Sequence, residues 1–252
     1  MIKGFTAVLA FGLSLGAAAI GGVGVSHEKS AVLYHASFRA AYQAGTYDGT
    51  FSMEQLRAHG DFGLGATDGN DGGLTALGGI FWRARTDGTM VELGPKDTTP
   101  YAAVTFFRPG RTLRFRGEIG REELEKKLDA ELDTGHRPYA IRVRGRFAHV
   151  EAGASDRQEK PHRPFAQVLD EYHYHDFQET QGTLVGFRCP PYMKVLDQVG
   201  YHFHYLSDDK KQGGHVRGFA IDDVEVGIQE LSAFTADLPA GGEFYEKDMA
   251  AP

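Results

Sequence analysis

The sharpest pattern in the chain is at residues 139–150, YAIRVRGRFAHV, where apolar and basic positions alternate. Side chains two apart on a strand share a face, so Ile141, Val143 and Phe147 point one way and Arg142, Arg144 and Arg146 the other. The apolar set predicts a core-facing strand. The arginine row is read as a solvated face, with an anion-binding row as the alternative. A helical period runs through residues 122–132, where Leu124, Leu128 and Leu132 recur every fourth residue on one stripe.

Shorter signals fill the rest. Residues 31–45 open the fold ahead of a turn at Tyr47-Asp48-Gly49, and the glycine-rich stretch 60–79 reads as brief strands and tight turns. Residues 102–107, AAVTFF, form an apolar strand candidate that Pro109 closes. From Gly182 onward GTLVGF, VGYHFHYL, HVRGFAI and VEVGIQEL predict successive strands. Residues 152–164 are polar and carry Pro161 and Pro164, so they predict a loop and a domain boundary. The expected fold is α+β, mostly antiparallel, with one principal helix. The expected subdomains are 27–155 and 156–252.

Composition changes this picture at one end only. With 252 residues, 41% apolar, 24% charged and a net charge of −7, the chain is an ordinary globular one. That excludes a collagen-like, low-complexity or multi-span membrane chain, and the acidic balance argues against a nucleic-acid binder that neutralises phosphates. The exception is residues 1–26. Lys3 is followed by an uncharged run from Gly4 to Ser26, with small residues at Ala17, Ala18 and Ala19. A basic start, an apolar middle and a small-residue exit predict a secretory signal peptide and an exported protein without membrane attachment once the leader is cleaved, an uncleaved anchor being the alternative. A single cysteine, Cys189, excludes an intramolecular disulfide and a multi-cysteine metal site.

The candidate chemistry is in the histidines. His202 and His204 share one strand face, while Tyr201, Phe203 and Tyr205 take the other. Residues 207–214 read as a polar turn, after which a symmetric hairpin pairs position 204 with 215 and 202 with 217. Directly opposed residues have Cβ atoms roughly 5 Å apart, so His202, His204 and His215 converge. Three imidazole donors with open positions for water or substrate match a catalytic zinc site. A second such pair, His173 and His175, has no third histidine at comparable spacing and is read as coincidental.

Beyond these residues, most of the chain resembles the α-acetolactate decarboxylase family. The resemblance is carried by Tyr47-Asp48-Gly49, Gly60-Asp61-Phe62-Gly63-Leu64-Gly65, Arg83–Gly88 (RARTDG) and Thr105-Phe106-Phe107. It continues in Tyr139-Ala140-Ile141-Arg142, Gln158-Glu159-Lys160-Pro161, Gly182–Phe187 (GTLVGF) and the hairpin GYHFHYLSDD…GGHV. It implies two subdomains of mixed and antiparallel sheet, a homodimer, and Zn2+ on His202, His204 and His215. It further implies conversion of 2-acetolactate, a small hydroxy-keto acid, to acetoin and carbon dioxide, with zinc as Lewis acid and a positioned proton donor.

Three positions depart from the family pattern. Where the family carries a glutamate in LDGEL, this chain reads Asn70-Asp71-Gly72-Gly73-Leu74, with Gly73 at the carboxylate position. The family's arginine, a few residues before QEKP, aligns with Gly153. Its second glutamate lies in a longer tail than the LPAGGEFYEKDM end seen here. The nearest substitutes are Asp71, Arg157 and Glu243, with Glu246 beside the last. The alternatives to decarboxylation are a zinc-binding homologue acting on another hydroxy-keto or dicarbonyl compound, and a non-catalytic ligand-binding protein.

Overall fold

The computed structural model describes residues 31–249 together with Met1, so the expected leader lies outside the described residues apart from its first one. The chain runs β1 (Val32–Ala36), α1 (Arg39–Gln43), β2 (Phe51–Ser52), α2 (Met53–Arg57), β3 (Phe62–Ala66), β4 (Gly73–Leu77), β5 (Ile80–Ala84) and β6 (Met90–Glu92). It continues through β7 (Thr98–Thr99), β8 (Tyr101–Thr105), β9 (Arg111–Gly120), α3 (Arg121–Asp129), β10 (Tyr139–Ala154) and α4 (Phe165–Val168). Last come β11 (His173–Cys189), β12 (Gly200–Ser207), β13 (Gly213–Glu230), β14 (Ala233–Asp237) and α5 (Glu243–Glu246). The fold is α+β, as expected.

Two sheets carry the structure. The first has seven strands in the order β14-β1-β8-β3-β4-β5-β6, antiparallel except for the parallel β1–β14 pair. The second has the order β10-β11-β12-β13-β9, and β10 also pairs with β13. That extra pairing closes β10, β11, β12 and β13 into a ring. Ile141, Val143, Phe147, Leu184, Phe203 and Ile221 belong to its buried core. Leu124 and Leu128 of α3 join that core, and Leu132 still packs on it although the helix ends at Asp129.

The sheets do not divide at residue 155. β9 and β10 precede it but belong to the second sheet, and β14 returns from the C-terminal side to the first. β10 also runs past the expected strand end, to Ala154, because the small residues 152–154 fit between β11 and β13. The two sheets meet through Leu33, Phe62, Leu64, Val185, Phe187 and Cys189. α2 lays Met53 and Leu56 under the first sheet. Its start is fixed by a reciprocal cap, with Gln55 N donating to Ser52 Oγ and Ser52 N to Gln55 Oε1.

The arginine row of β10 is matched by acids on β13. Arg142 Nη2 lies 3.6 Å from Glu225, Arg146 Nη2 2.9 Å from Asp222, and Arg144 stands opposite Glu225 in the register. Cross-strand opposite charges of this kind stabilise the pairing. Arg142 and Arg146 are therefore ion-paired across the strands, while Arg144 makes no ion pair among the described residues.

Candidate metal centre and cavity

The hairpin of β12 and β13 is built as its alternation predicts. Tyr201, Phe203 and Tyr205 enter the ring's core, and His202 and His204 take the opposite face. The turn is closed by Ser207, whose backbone N–H donates to Gln212 O at 2.9 Å and whose Oγ accepts from Gln212 N at 3.0 Å. His204 pairs with His215 in the register.

The expected 202–217 pair does not form. After His215, β13 turns to β10, beginning with Gly153 opposite His215, and His202 instead stands opposite Phe187 of β11. This change of partner depends on close backbone approach. A Cβ on Gly214 would lie 2.6 Å from Gly153 O, and one on Gly153 would lie 2.4 Å from His173 O. Gly214 thus lets β13 approach β10, Gly153 lets β10 approach β11 beside the site, and the splayed β12 and β13 leave room between the rings.

The three imidazoles form a near-equilateral triangle, with ring centroids 5.1, 5.2 and 5.4 Å apart. One ring nitrogen from each lies within 4.8 Å of the others, and His202 Nε2 is 3.2 Å from His215 Nδ1. Burial, reinforced by the neighbouring His215, lowers His204 to about 3, against a weaker opposing pull from Leu74 O. Burial and the charge of Arg121 lower His215 to about 4. Burial, then His215 and His204, holds His202 well below its ordinary value. All three are neutral near pH 7 and offer lone pairs.

Two details fit this triad to a metal ion. The Nδ1 of His204 lies 2.8 Å from Leu74 O, which can only accept, so Nδ1 carries the proton and Nε2 is left as a donor atom. The Nε2 of His202 stands 3.2 Å from the Nδ1 of His215, close to the separation of roughly 3.3 Å between two nitrogens held by one tetrahedral zinc. Gly73 of β4 lies beside His204, where an added Cβ would stand 2.9 Å from the ring's Cε1. The position the resemblance assigns to a carboxylate is thus in contact with the triad, and the imidazole ring fills its space.

The triad opens into a cavity of about 260 Å³ between the sheets, α1 and α4. Apolar and aromatic groups dominate its wall, including Ala66, Tyr101, Phe165 and Leu169. Among the described residues no aspartate or glutamate lines it, and Arg39 is its one charged side chain.

The three expected substitutes lie elsewhere. Asp71 is ion-paired with Arg83. Arg157 donates to Asp68 Oδ2 at 2.6 Å and Asp68 O at 3.0 Å. Glu243 accepts from Tyr47 N at 3.2 Å and stands 2.7 Å from His162 Nδ1. None of them, nor Glu246, lines the cavity. Each carboxylate or guanidinium is drawn to a nearer opposite charge or donor.

Sequence reasoning missed Arg39, Tyr42, Tyr101 and Tyr172 as lining groups. A signal for the first was present, since Arg39 is the only acidic or basic residue in AVLYHASFRAAYQAG apart from histidine. The second histidine pair has structural work. His175 Nε2 lies 2.7 Å from Thr86 O, and His173 Nε2 lies 3.2 Å from Asp156. Asp48, His162 and Glu243 also sit within 4.8 Å of one another. There Lys160 pairs with Asp48 at 2.7 Å and His162 with Glu243, which fastens α5 to the Tyr47-Asp48-Gly49 turn.

The chain is also similar to known proteins. Residues 33–251 match the family described as alpha-acetolactate decarboxylase. An alpha-acetolactate decarboxylase of Methanosarcina mazei is 36% identical over 225 residues, covering 89% of this chain and 78% of the relative. One from Raoultella terrigena is 33% identical, covering 89% and 86%. The crystal structure of the Bacillus subtilis alpha-acetolactate decarboxylase superposes with a TM-score of 0.85 at 31% identity, covering 87% of this chain and 94% of that one. A Staphylococcus aureus protein of unknown function, described as similar to that enzyme, gives 0.83 at 26% identity, covering 86% and 95%.

Proposed function

Since the chain belongs to the alpha-acetolactate decarboxylase family, we propose that it converts 2-acetolactate to acetoin and carbon dioxide with Zn2+ held by His202, His204 and His215. The observation that carries this reading is the triad itself: three neutral, converging imidazoles at the wall of a small, largely apolar cavity. When bound, zinc supplies a Lewis acid that polarises the adjacent oxygens of a hydroxy-keto acid.

The chain's own residues do the rest. Leu74 O fixes the tautomer and ring orientation of His204. The aromatic wall of Tyr42, Tyr101 and Phe165 limits water and strengthens every charge interaction inside. With no carboxylic acid on the wall, the proton that completes the product comes from water entering the cavity. A fixed general acid typically contributes 10²–10⁴-fold. Slow turnover and low enantiomeric excess in the acetoin follow.

The test is purified protein with racemic acetolactate, measuring carbon dioxide and acetoin with and without a chelator. Metal-dependent release of both is the expected result; stoichiometric zinc with no carbon dioxide ends the decarboxylase reading. The glycine at position 73 and the acid-free wall favour a second reading, in which the same centre acts on another small hydroxy-keto compound. A panel of such compounds, assayed against the same zinc-loaded protein, separates the two.

A further inference from the structure

Arg39 begins α1, and two backbone bonds hold that helix against the cavity: Arg39 N to Leu196 O and Ala40 N to Val195 O, both 3.0 Å. Its partly buried side chain donates from Nη1 to Gln43 Oε1 at 3.0 Å, an amide oxygen that carries no charge. A guanidinium has five donors. Among the described residues no carboxylate lies within ion-pair distance of it. The buried acid nearest this wall, Asp197, is already held by His35 Nε2 at 3.0 Å and Gln198 N at 2.7 Å. Arg121, the other cation whose charge reaches the histidines, differs on this point, being paired with Glu125 at 2.7 Å.

A second observation points to the same place. Tyr101 lines the same cavity, and its buried hydroxyl makes no hydrogen bond of ordinary geometry, with Asp197 as the carboxylate that acts on it. Arg39, Tyr101 and His202 line the one cavity, and the Arg39 charge acts on both of the others. A guanidinium without a carboxylate partner, on a wall where none of the described lining residues is an aspartate or glutamate, calls for an anion.

We propose that Arg39 and the Tyr101 hydroxyl form a carboxylate subsite, in which Arg39 binds the carboxylate of the small hydroxy acid whose other oxygens face the histidine triad. This rests on the reading that the cavity is the reaction site. It also fixes the kind of help Arg39 gives. In decarboxylation the C–C bond to the carboxylate breaks, its electron pair moves to the neighbouring carbonyl unit, carbon dioxide leaves uncharged, and a proton from water is added at carbon. A cation at the carboxylate stabilises bound substrate more than the departing group, so Arg39 contributes affinity and orientation more than rate.

The experiment is calorimetric titration of the zinc-loaded protein with 2-hydroxyisobutyrate and with its uncharged amide. Wild type, Arg39→Gln, Arg39→Lys and Tyr101→Phe are compared, with zinc content and thermal melting measured for each. Wild type is expected to bind the acid at least about tenfold tighter than the amide. Arg39→Gln should lose roughly 10- to 100-fold in acid affinity and little in amide affinity, the size of a hydrogen bond to a charged group. Arg39→Lys should keep part of the preference, and Tyr101→Phe should lose roughly 2- to 10-fold.

If the protein turns over acetolactate, Arg39→Gln should raise KM by the same 10- to 100-fold factor while kcat stays within about threefold. Equal acid affinity in wild type and Arg39→Gln, or no acid-over-amide preference in wild type, overturns the proposal. Arg39-dependent acid binding without acetolactate turnover would keep the subsite and remove the decarboxylase reading.

Discussion

The chain contains two His-x-His pairs on long strands, and only one has become a candidate metal centre. His202 and His204 sit mid-sheet, where His215 is brought opposite by the hairpin and burial keeps all three neutral. His173 and His175 open β11, and each is bound to a different neighbour, Asp156 and the Thr86 carbonyl. Local spacing is the same in both. What separates them is the supply of a third donor from an adjacent strand and the removal of competing partners. A motif of two residues is a site only where topology completes it.

The largest test of this contrast is deletion of a ligand. His204→Ala should weaken zinc binding by more than about 100-fold, because even outer-shell partners of a ligand typically hold 10- to 100-fold; equilibrium dialysis against a zinc indicator measures it. His175→Ala should leave the zinc constant unchanged in the same assay.

Acid comes next. The folded value of His204 is about 3, below the ordinary 6.5, so the unfolded chain takes up protons first as pH falls. Its contribution to stability is full above pH 6.5 and is lost progressively as pH falls toward 3. At pH 5 the metal-free protein should have lost about 2 kcal/mol from this residue alone. Urea unfolding across that range reads the slope, and His204→Gln should flatten it.

Gly73→Ala is a smaller perturbation, placing a Cβ 2.9 Å from His204 Cε1 and turning the ring away from its acceptor. Roughly tenfold weaker zinc binding is expected, comparable with loss of an outer-shell partner. The same crowding means that Gly73→Glu should cost metal affinity before it restores any acid chemistry. Smallest are the effects at the second pair. His175→Ala should lower stability by about 1 kcal/mol through the lost bond to Thr86 O. His173→Ala, on the exposed end, should stay within about 0.5 kcal/mol by thermal unfolding.

The same contrast marks what could be read from residues alone. Alternation and the turn at 207–214 disclosed the hairpin, the 204–215 pair and the inward aromatic face, because these depend on neighbours a few positions apart. The swing of β13 from β12 to β10 was not legible, since it depends on glycines at 153 and 214 that are far apart in sequence. The return of β14 to β1 is equally long-range. In the cavity, the missing acids drew attention to Asp71, Arg157 and Glu243 by proximity in sequence. Side-chain direction and nearer partners decided otherwise, and the cavity's cation came from α1, more than a hundred residues from the histidines.

The shared strand β13 also has a kinetic meaning. Its residues 213–215 meet β12 within one hairpin, but its pairing with β10 joins positions about sixty to ninety apart, a closure that costs chain entropy before contacts repay it. His215 is the hinge between these two pairings. A refolding chain would assemble the hairpin early and align the third imidazole only when the ring shuts. Uptake of a zinc indicator's metal should therefore lag behind the hairpin and coincide with the slowest folding phase, making the triad a clock for completion of the native state.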